Sequence, residues 1–318
     1  MSTTRWGILS TGNIAHTFAR DLRHVPDAEL VAVGSRSQDS ADAFAREHGI
    51  PHAHASYERL YADPDVDAVY IATPHTLHLA NGAGALRAGK AVLCEKPLTA
   101  TPETSRELIR VAEETGGYLL EAMWTHFLPA IQTASQWVRE GRIGALRHVR
   151  ADFGYPTPYD PESRLYSPAL GGGSLLDLGI YPIALAWRFL QQHPENVYAI
   201  AHRAPTGVDD EVSMLFRYPE AMATLGCSFR GRLGNRAEIV GEKGTILIPD
   251  FFRASECSLY CQDKRVDHFE DGRESAGYAF EAAAVGSDLR AGRQQSEVFP
   301  WAASLAVQDH MARVLAVI

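Results

Sequence analysis

Apolar and polar positions follow two distinct rhythms over the first 125 residues. Short apolar runs at Trp6–Leu9, Leu30–Val33, Ala68–Ala72, Val92–Cys94 and Tyr118–Ala122 are separated by stretches of helical period, such as Ser40–His48 and Leu79–Ala88. Ile14, Phe18 and Leu22 recur at four-residue spacing, which puts them on one face of a first helix. Strands alternating with helices predict a parallel, doubly wound sheet. After about Pro129 the rhythm changes. A helix to Glu140, a strand over Leu146–Phe153, a loop rich in Pro, Tyr and Gly, and an apolar helix from about Ser174 come first. Short strands follow at Val197–His202, Val212–Tyr218, Ala221–Ser228, Ala237–Val240 and Thr245–Ile248, separated by turn residues as in a mostly antiparallel sheet. Two helices, near Tyr278–Ala291 and Ala302–Val317, close the chain. The expectation is an α/β domain over 1–125 and an α+β domain over 126–318.

Composition narrows the partners. A formal net charge of -9 with no local basic cluster disfavours nucleic acid and anionic membrane surfaces. No apolar run reaches the roughly 18 residues of a membrane helix, and Met1 leads almost directly into the first strand, without the basic and apolar regions of a secretory signal. Cys94, Cys227, Cys257 and Cys261 are too few and too scattered for a disulfide framework in a chain of 318 residues, and they read as buried thiols. A cytoplasmic protein is expected.

The turn Gly7-Ile8-Leu9-Ser10-Thr11-Gly12-Asn13-Ile14-Ala15 joins the first strand to the first helix, where a dinucleotide-binding turn belongs. Against the G-x-G-x-x-G/A pattern of a Rossmann domain, Ser10 replaces the first glycine, Gly12 is the second and Ala15 the small third residue. Gly12 lets the backbone approach a pyrophosphate seated on the free N–H groups of the helix N-terminus. At the end of the second strand an NAD enzyme usually presents an acid to the ribose. Here the chain reads Gly34-Ser35-Arg36-Ser37, and a guanidinium with small hydroxyls suits a 2'-phosphate. NADP is therefore the expected cofactor, with NAD as the alternative.

Reactive side chains follow two further elements. Cys94-Glu95-Lys96-Pro97 ends a buried strand, so Lys96 can be held near a nicotinamide, and Pro97 makes a cis peptide conceivable. Gly171-Gly172-Gly173-Ser174-Leu175-Leu176-Asp177-Leu178-Gly179-Ile180-Tyr181 is a glycine-rich entry to an apolar helix, and the four-residue spacing of Asp177 and Tyr181 puts a carboxylate and a phenol on one helix face. Taken alone, Asp177 could equally cap the helix and Tyr181 could be a core residue. His75 and His78, three apart without nearby carboxylates, make a poor metal site, and no metal is expected. Trp124, Tyr155 and Tyr159 are candidates for a substrate wall, with domain packing as the alternative.

This combination resembles the Gfo/Idh/MocA family of NAD(P)-dependent oxidoreductases over nearly the whole chain. The motifs are Gly7–Ala15, Ala72-Thr73-Pro74-His75 with His78, Glu95-Lys96-Pro97, Glu121-Ala122-Met123-Trp124 and Asp177-Leu178-Gly179-Ile180-Tyr181. Many members carry histidine at the last of these positions. Tyr181 instead resembles the subgroup of dimeric dihydrodiol dehydrogenases and NADP-dependent xylose dehydrogenases. The resemblance implies Ser10, Thr11, Gly12, Asn13, Ile14, Ser35, Arg36, Ala72, Thr73, Pro74, His75, His78, Glu95, Lys96 and Pro97 about the cofactor. It also implies Lys96 and Tyr181 as the acid–base pair, Asp177 as a substrate-orienting residue, and an open-faced second sheet that mediates a homodimer or homotetramer.

Alcohol oxidation requires the hydroxyl proton to leave as hydride departs the carbon. Tyrosine starts near pKa ~10 and lysine near ~10.4, and a neighbouring ammonium lowers the phenol toward working pH. Tyr181 is accordingly assigned the proton transfer and Lys96 the electrostatic partner, although the sequence leaves the reverse open. The expected function is hydride transfer between NADP and a hydroxyl-bearing carbon of a sugar, polyol or trans-dihydrodiol. Two alternatives are a hydrolase or lyase that retains NAD(P), and a non-catalytic NADP sensor.

Overall fold

The computed structural model describes residues 3–318, which divide into two compact units. The first runs to Trp124 and also takes in Glu274–Ser304; the second comprises Thr125–Arg273 and Leu305–Ile318.

The first unit is built on a six-stranded parallel sheet: β1 (Thr4–Leu9), β2 (Ala28–Gly34), β3 (His52–His54), β4 (Ala68–Ile71), β5 (Ala91–Glu95) and β6 (Leu119–Ala122), in the order β3-β2-β1-β4-β5-β6. Helices α1 (Asn13–Asp21), α2 (Gln38–His48), α3 (Tyr57–Tyr61), α4 (His78–Arg87) and α5 (Pro102–Thr115) connect the strands. Both faces are covered, so the strands read as continuous apolar runs. Trp6 meets Phe18 edge-on, and Phe18 stacks on Tyr70 at 3.8 Å between ring centroids; all three are fully buried. Phe18 and Leu22 lie in the core as their spacing predicts, whereas Ile14 is half-buried. Gly7 and Gly34 mark the close approach of α3, since a Cβ on either would stand 3.0 Å from a Leu60 side-chain carbon.

The reading of 126–318 as one domain needs correction at 274–304. Helix α8 (Tyr278–Arg290) packs with the first unit for reasons that periodicity does not carry. The Asp21 carboxylate accepts the backbone N–H groups of Ala276, Gly277 and Tyr278 at 2.8–2.9 Å, holding the start of α8. Arg290 pairs with Asp27 at 2.6 Å, Tyr118 Oη donates to Asp288 at 2.9 Å, and Trp301 Nε1 donates to the Leu119 carbonyl at 2.9 Å.

The second unit carries an eight-stranded sheet: β7 (Leu146–Gly154), β8 (Asn196–Arg203), β9 (Asp209–Arg217), β10 (Met222–Ser228), β11 (Ala237–Gly241), β12 (Thr245–Ile248), β13 (Glu256–Cys261) and β14 (Lys264–Glu270). Its order is β14-β13-β12-β11-β7-β10-β9-β8, antiparallel except for the β7/β10 pair. The β13–β14 hairpin is absent from the sequence reading because its turn residues, Gln262 and Asp263, adopt φ of 49° and 61° without the usual glycine signal. Helices α6 (Pro129–Arg139) and α7 (Ile180–Leu190) cover one face of the sheet. Within Pro168–Leu190 an 18-residue window reaches a mean hydropathy of 1.4, enough by length and composition alone for a membrane span. Ile180, Ile183, Ala184 and Leu185 are nevertheless fully buried against the sheet, as in a soluble core helix.

Candidate active site

In the first unit the candidate residues gather at the carboxyl ends of β1, β2, β4 and β5, and the strand order reverses between β1 and β4, where open α/β sheets bind ligands. Ser10, standing where the pattern has glycine, adopts φ 94°, a conformation glycine reaches without strain. Its N–H donates to the Gly34 carbonyl at 2.8 Å, tying the turn to β2. Gly12 is the N-cap of α1 and has open space beside it, the nearest atom to an added Cβ being Ser10 Oγ at 3.9 Å. Among the described residues no side chain caps α1, and its first turn has no acid. Unpaired N–H groups, the helix dipole and room at Gly12 together fit a pyrophosphate.

At the end of β2, Ser35 is buried and Arg36 exposed. The Ser37 N–H donates to Ser35 Oγ at 3.3 Å, and Ser37 Oγ caps α2 by accepting the Ser40 N–H at 3.4 Å. The small hydroxyls thus order the turn that carries the Arg36 guanidinium.

The β4 and β5 ends are laced together by His78, one per cent exposed. Its Nδ1 lies 2.9 Å from the Pro97 carbonyl and its Nε2 2.9 Å from the Thr73 carbonyl, while Asn81 donates to Thr73 Oγ1 at 3.0 Å. Burial pushes the His78 pKa down to about 4 against the pull of those carbonyls. Both ring nitrogens face carbonyl oxygens, so the ring ties the ends of β4 and β5 together whichever nitrogen donates. His75 is buried beside it, 6.5 Å away between ring centroids.

Lys96 lies in a turn held by a carboxylate on each side. Glu95 accepts the Lys96 N–H at 3.1 Å and the Tyr70 hydroxyl, and Glu121 accepts the Leu98 N–H at 2.8 Å. The Lys96–Pro97 peptide is cis. Burial pushes the Glu121 pKa up to about 7, with Glu95 adding to the rise. Trp124, offered as a substrate wall, is 5% exposed and stacked on Tyr278 at 4.4 Å.

In the second unit Asp177 and Tyr181 do not sit on one regular α-helix. Leu175–Gly179 forms a π-helical turn that runs into α7, a distortion frequent at functional sites. Asp177 pairs with Arg164 at 3.1 Å. Tyr181, 7% exposed, meets Phe153 edge-on at 5.1 Å, and Phe153 stacks on Phe252 at 4.2 Å. Tyr155 packs against both phenylalanines. Tyr159 is placed elsewhere: it is 48% exposed, edge-on to Tyr166 at 5.1 Å, and lines a hollow with Pro158, Asp210, Phe229 and Arg230.

One residue that the sequence reading missed organises this turn. Asp209, 5% exposed at the start of β9, accepts Ser174 Oγ at 2.8 Å and the Leu175 N–H at 2.7 Å. Gly173, at φ 134°, passes so close that a Cβ would stand 2.6 Å from Asp209 Oδ1. The available signal was the acidic pair Asp209-Asp210 opening a strand whose later alternate positions, Val212, Met214 and Phe216, are apolar. Burial raises the Asp209 pKa, opposed by the two bonds it accepts.

The profile of the oxidoreductase family with an NAD-binding Rossmann fold matches residues 4–122, and that of the GFO/IDH/MocA C-terminal domain matches 131–247. The trans-1,2-dihydrobenzene-1,2-diol dehydrogenase of Mus musculus is 38% identical over 98% of this chain and 94% of its own length. The chain belongs to the GFO/IDH/MocA oxidoreductases. The Homo sapiens protein of the same name is 36% identical over 98% of the chain and 95% of its own. Among solved structures, a 3-ketoreductase from Actinomadura kijaniata in complex with NADP and TDP-benzene aligns over 99% of this chain and 98% of its own, with 28% identity and a TM-score of 0.86. An aldose-aldose oxidoreductase from Caulobacter crescentus shares the fold, with a TM-score of 0.91 over 99% and 97% of the two chains at 24% identity. This GFO/IDH/MocA chain is thus a dehydrogenase acting on CH–OH groups, with an NAD(P)-binding Rossmann unit and a small-molecule substrate.

Proposed function

We propose that the chain is an NADP-dependent dehydrogenase of a trans-dihydrodiol or a cyclic sugar or polyol with adjacent hydroxyls. The observation that carries this reading is the full-length likeness to dihydrodiol dehydrogenases in a chain that holds Lys96, Asp177 and Tyr181. The preference for NADP rests on Arg36 in place of an acid after β2, and NAD remains the alternative cofactor.

When bound, the nicotinamide accepts or returns the hydride of the reacting carbon. Tyr181 takes the hydroxyl proton in the oxidative direction and returns it in the reductive one. Lys96, fixed at its own N–H by Glu95, is the proposed hydrogen-bond donor to the reacting oxygen. Asp177, steadied by Arg164, orients the neighbouring hydroxyl. Phe153 and Phe252 shield the tyrosine ring from water on one side, and Tyr155 extends that apolar wall.

The proposed assembly is a homodimer or homotetramer through the second sheet. Tyr198 and Ile200 of β8, 59% and 74% exposed, supply apolar surface for it. The proposed location is the cytoplasm. Fluorescence titration with NADPH and NADH, in protein freed of endogenous nucleotide, tests the cofactor reading. NADPH should bind the more tightly, and Arg36→Ala should cost roughly 10- to 100-fold toward NADPH alone, the value of one charge-assisted contact. Screening of trans-dihydrodiols, aldoses and polyols for NADP reduction then tests the substrate class. Folded protein that binds neither nucleotide refutes the dehydrogenase reading.

A further inference from the structure

Outside the candidate active site, three metal-ligating atoms converge between α1 and α2. His16 Nδ1 lies 2.8 Å from His48 Nε2 and 3.2 Å from Glu47 Oε1, and His48 Nε2 lies 3.6 Å from the same carboxylate oxygen. Four ligands at the ~2.0–2.2 Å bond lengths of zinc stand about 3.3–3.6 Å apart at the corners of a tetrahedron. The 3.6 and 3.2 Å separations lie at or just under that edge and the 2.8 Å pair below it, so one cation is admitted if the two imidazoles part by roughly half an ångström.

The surroundings favour a cation over a simple hydrogen-bonded cluster. The His48 side chain is 2% exposed, and burial lowers its pKa, as do His16, Arg23 and Arg20 to smaller degrees, with Glu47 alone opposing. His48 Nδ1 has no partner among the described residues, and Nε2 is the ring nitrogen that faces His16 and Glu47. Phe44 packs against both rings at 4.5 Å between centroids and fixes their planes. Glu47 is 55% exposed, leaving the fourth corner open to solvent and the site reachable.

A second cluster lacks these properties. His52 Nδ1 and His54 Nε2 both point at Asp63 Oδ2 at 2.8 Å, and Asp63 Oδ1 accepts the Asp65 N–H, which is a satisfied hydrogen-bond arrangement.

We propose that His16, Glu47 and His48 form a binding site for a divalent transition metal of the zinc class, clamping the second turn of α1 to the end of α2. Two imidazoles and one carboxylate select such an ion over Mg2+ or Ca2+, which prefer all-oxygen sites. The site is independent of the dehydrogenase reading, because its occupancy is read from metal uptake.

The test is a calorimetric titration of tag-free, chelator-stripped full chain with Zn2+, followed by thermal melting with and without the ion. Wild type should take up one equivalent at this site and melt higher with Zn2+. His16→Gln and Glu47→Gln should each weaken that uptake at least ~10-fold, because losing a ligand costs no less than losing the partner that orients one. Glu47 is more than half exposed, so metal-free Glu47→Gln should melt like wild type, whereas His16→Gln, which takes a partner from buried His48, should melt somewhat lower and is read by metal uptake. His54→Gln should leave uptake unchanged. Saturable uptake that survives His16→Gln and Glu47→Gln, uptake lost in His54→Gln instead, or no uptake by wild type each overturns the proposal.

Discussion

Replacing Asp209 with alanine removes the carboxylate that holds the entry to the π-helical turn. Ser174 and Leu175 are fully buried, so their hydroxyl and N–H lose an acceptor that water cannot easily replace. An unsatisfied buried donor costs about 1–3 kcal/mol. The Ser174 hydroxyl has Cys227 Sγ at 3.5 Å as a weak substitute, which puts its share at the low end. Burial already raises the Asp209 pKa, so deleting the carboxylate also returns some of its desolvation cost. A net loss of about 2–4 kcal/mol remains. At roughly 2–4 °C per kcal/mol for a unit of this size, the melting temperature should fall by about 5–15 °C. Both bonds land on Oδ2, so Asp209→Asn with its amide oxygen at that place keeps both acceptors and should lose well under half as much. Thermal melting with urea titration gives the stability change. Steady-state kinetics below the melting range should show kcat/KM falling as the turn that carries Asp177 loosens. An Asp209→Ala protein that melts within about 2 °C of wild type with unchanged kcat/KM refutes the assignment of this turn to Asp209.

Three other outcomes follow from the geometry. Glu121 is protonated more readily folded than unfolded, so its contribution to stability is full below its unfolded pKa of 4.5 and is lost as pH rises through about 7. Glu121→Gln should therefore gain on wild type between pH 5 and 8, by a difference on the order of 3 kcal/mol in paired urea titrations; a gain toward acid pH would reverse the sign and sink the idea. Ser10→Gly removes a side chain from a φ of 94° and should raise stability by up to about 1 kcal/mol without weakening NADPH, whereas a lower melting temperature would show that Ser10 is not strained. Tyr181→Phe and Lys96→Met should each lower kcat by at least about 100-fold while leaving NADPH affinity within a few-fold, and full activity in Tyr181→Phe would remove the phenol from proton transfer.

Sequence pattern shows most of the first sheet because each buried strand is an apolar run with its own connecting helix. It misses β3, three residues at the sheet edge, since so short a strand leaves no period to detect. The β13–β14 hairpin is hidden for another reason: β14 reads Lys264-Arg265-Val266-Asp267, and the turn bends through Gln262 and Asp263 rather than glycine. Around the active site, Gly12, Arg36, Lys96 and Tyr181 stand out because their residue types are tied to motifs. Asp209 acts through a contact 34 residues distant in sequence, and Asp21 grips α8 across more than 250 residues, so neither leaves a local trace. Tyr159, offered as a substrate wall, stands edge-on to Tyr166 beside a hollow, a packing that no residue spacing announces.

The return of residues 274–304 to the first unit sets an order of events during synthesis. The nucleotide-binding sheet leaves the ribosome early, yet Asp21 must wait for Ala276–Tyr278 before its carboxylate finds the N–H groups it serves, and Asp27 must wait for Arg290. Roughly 150 residues of the other unit emerge first, an interval of about 7–30 s at ordinary elongation rates. Throughout that interval the nascent nucleotide unit carries an unsealed surface where α8 will lie. Completion of the cofactor-binding half is thereby coupled to completion of nearly the entire chain, and a nascent chain arrested before residue 274 would present that unsealed surface to chaperones and proteases.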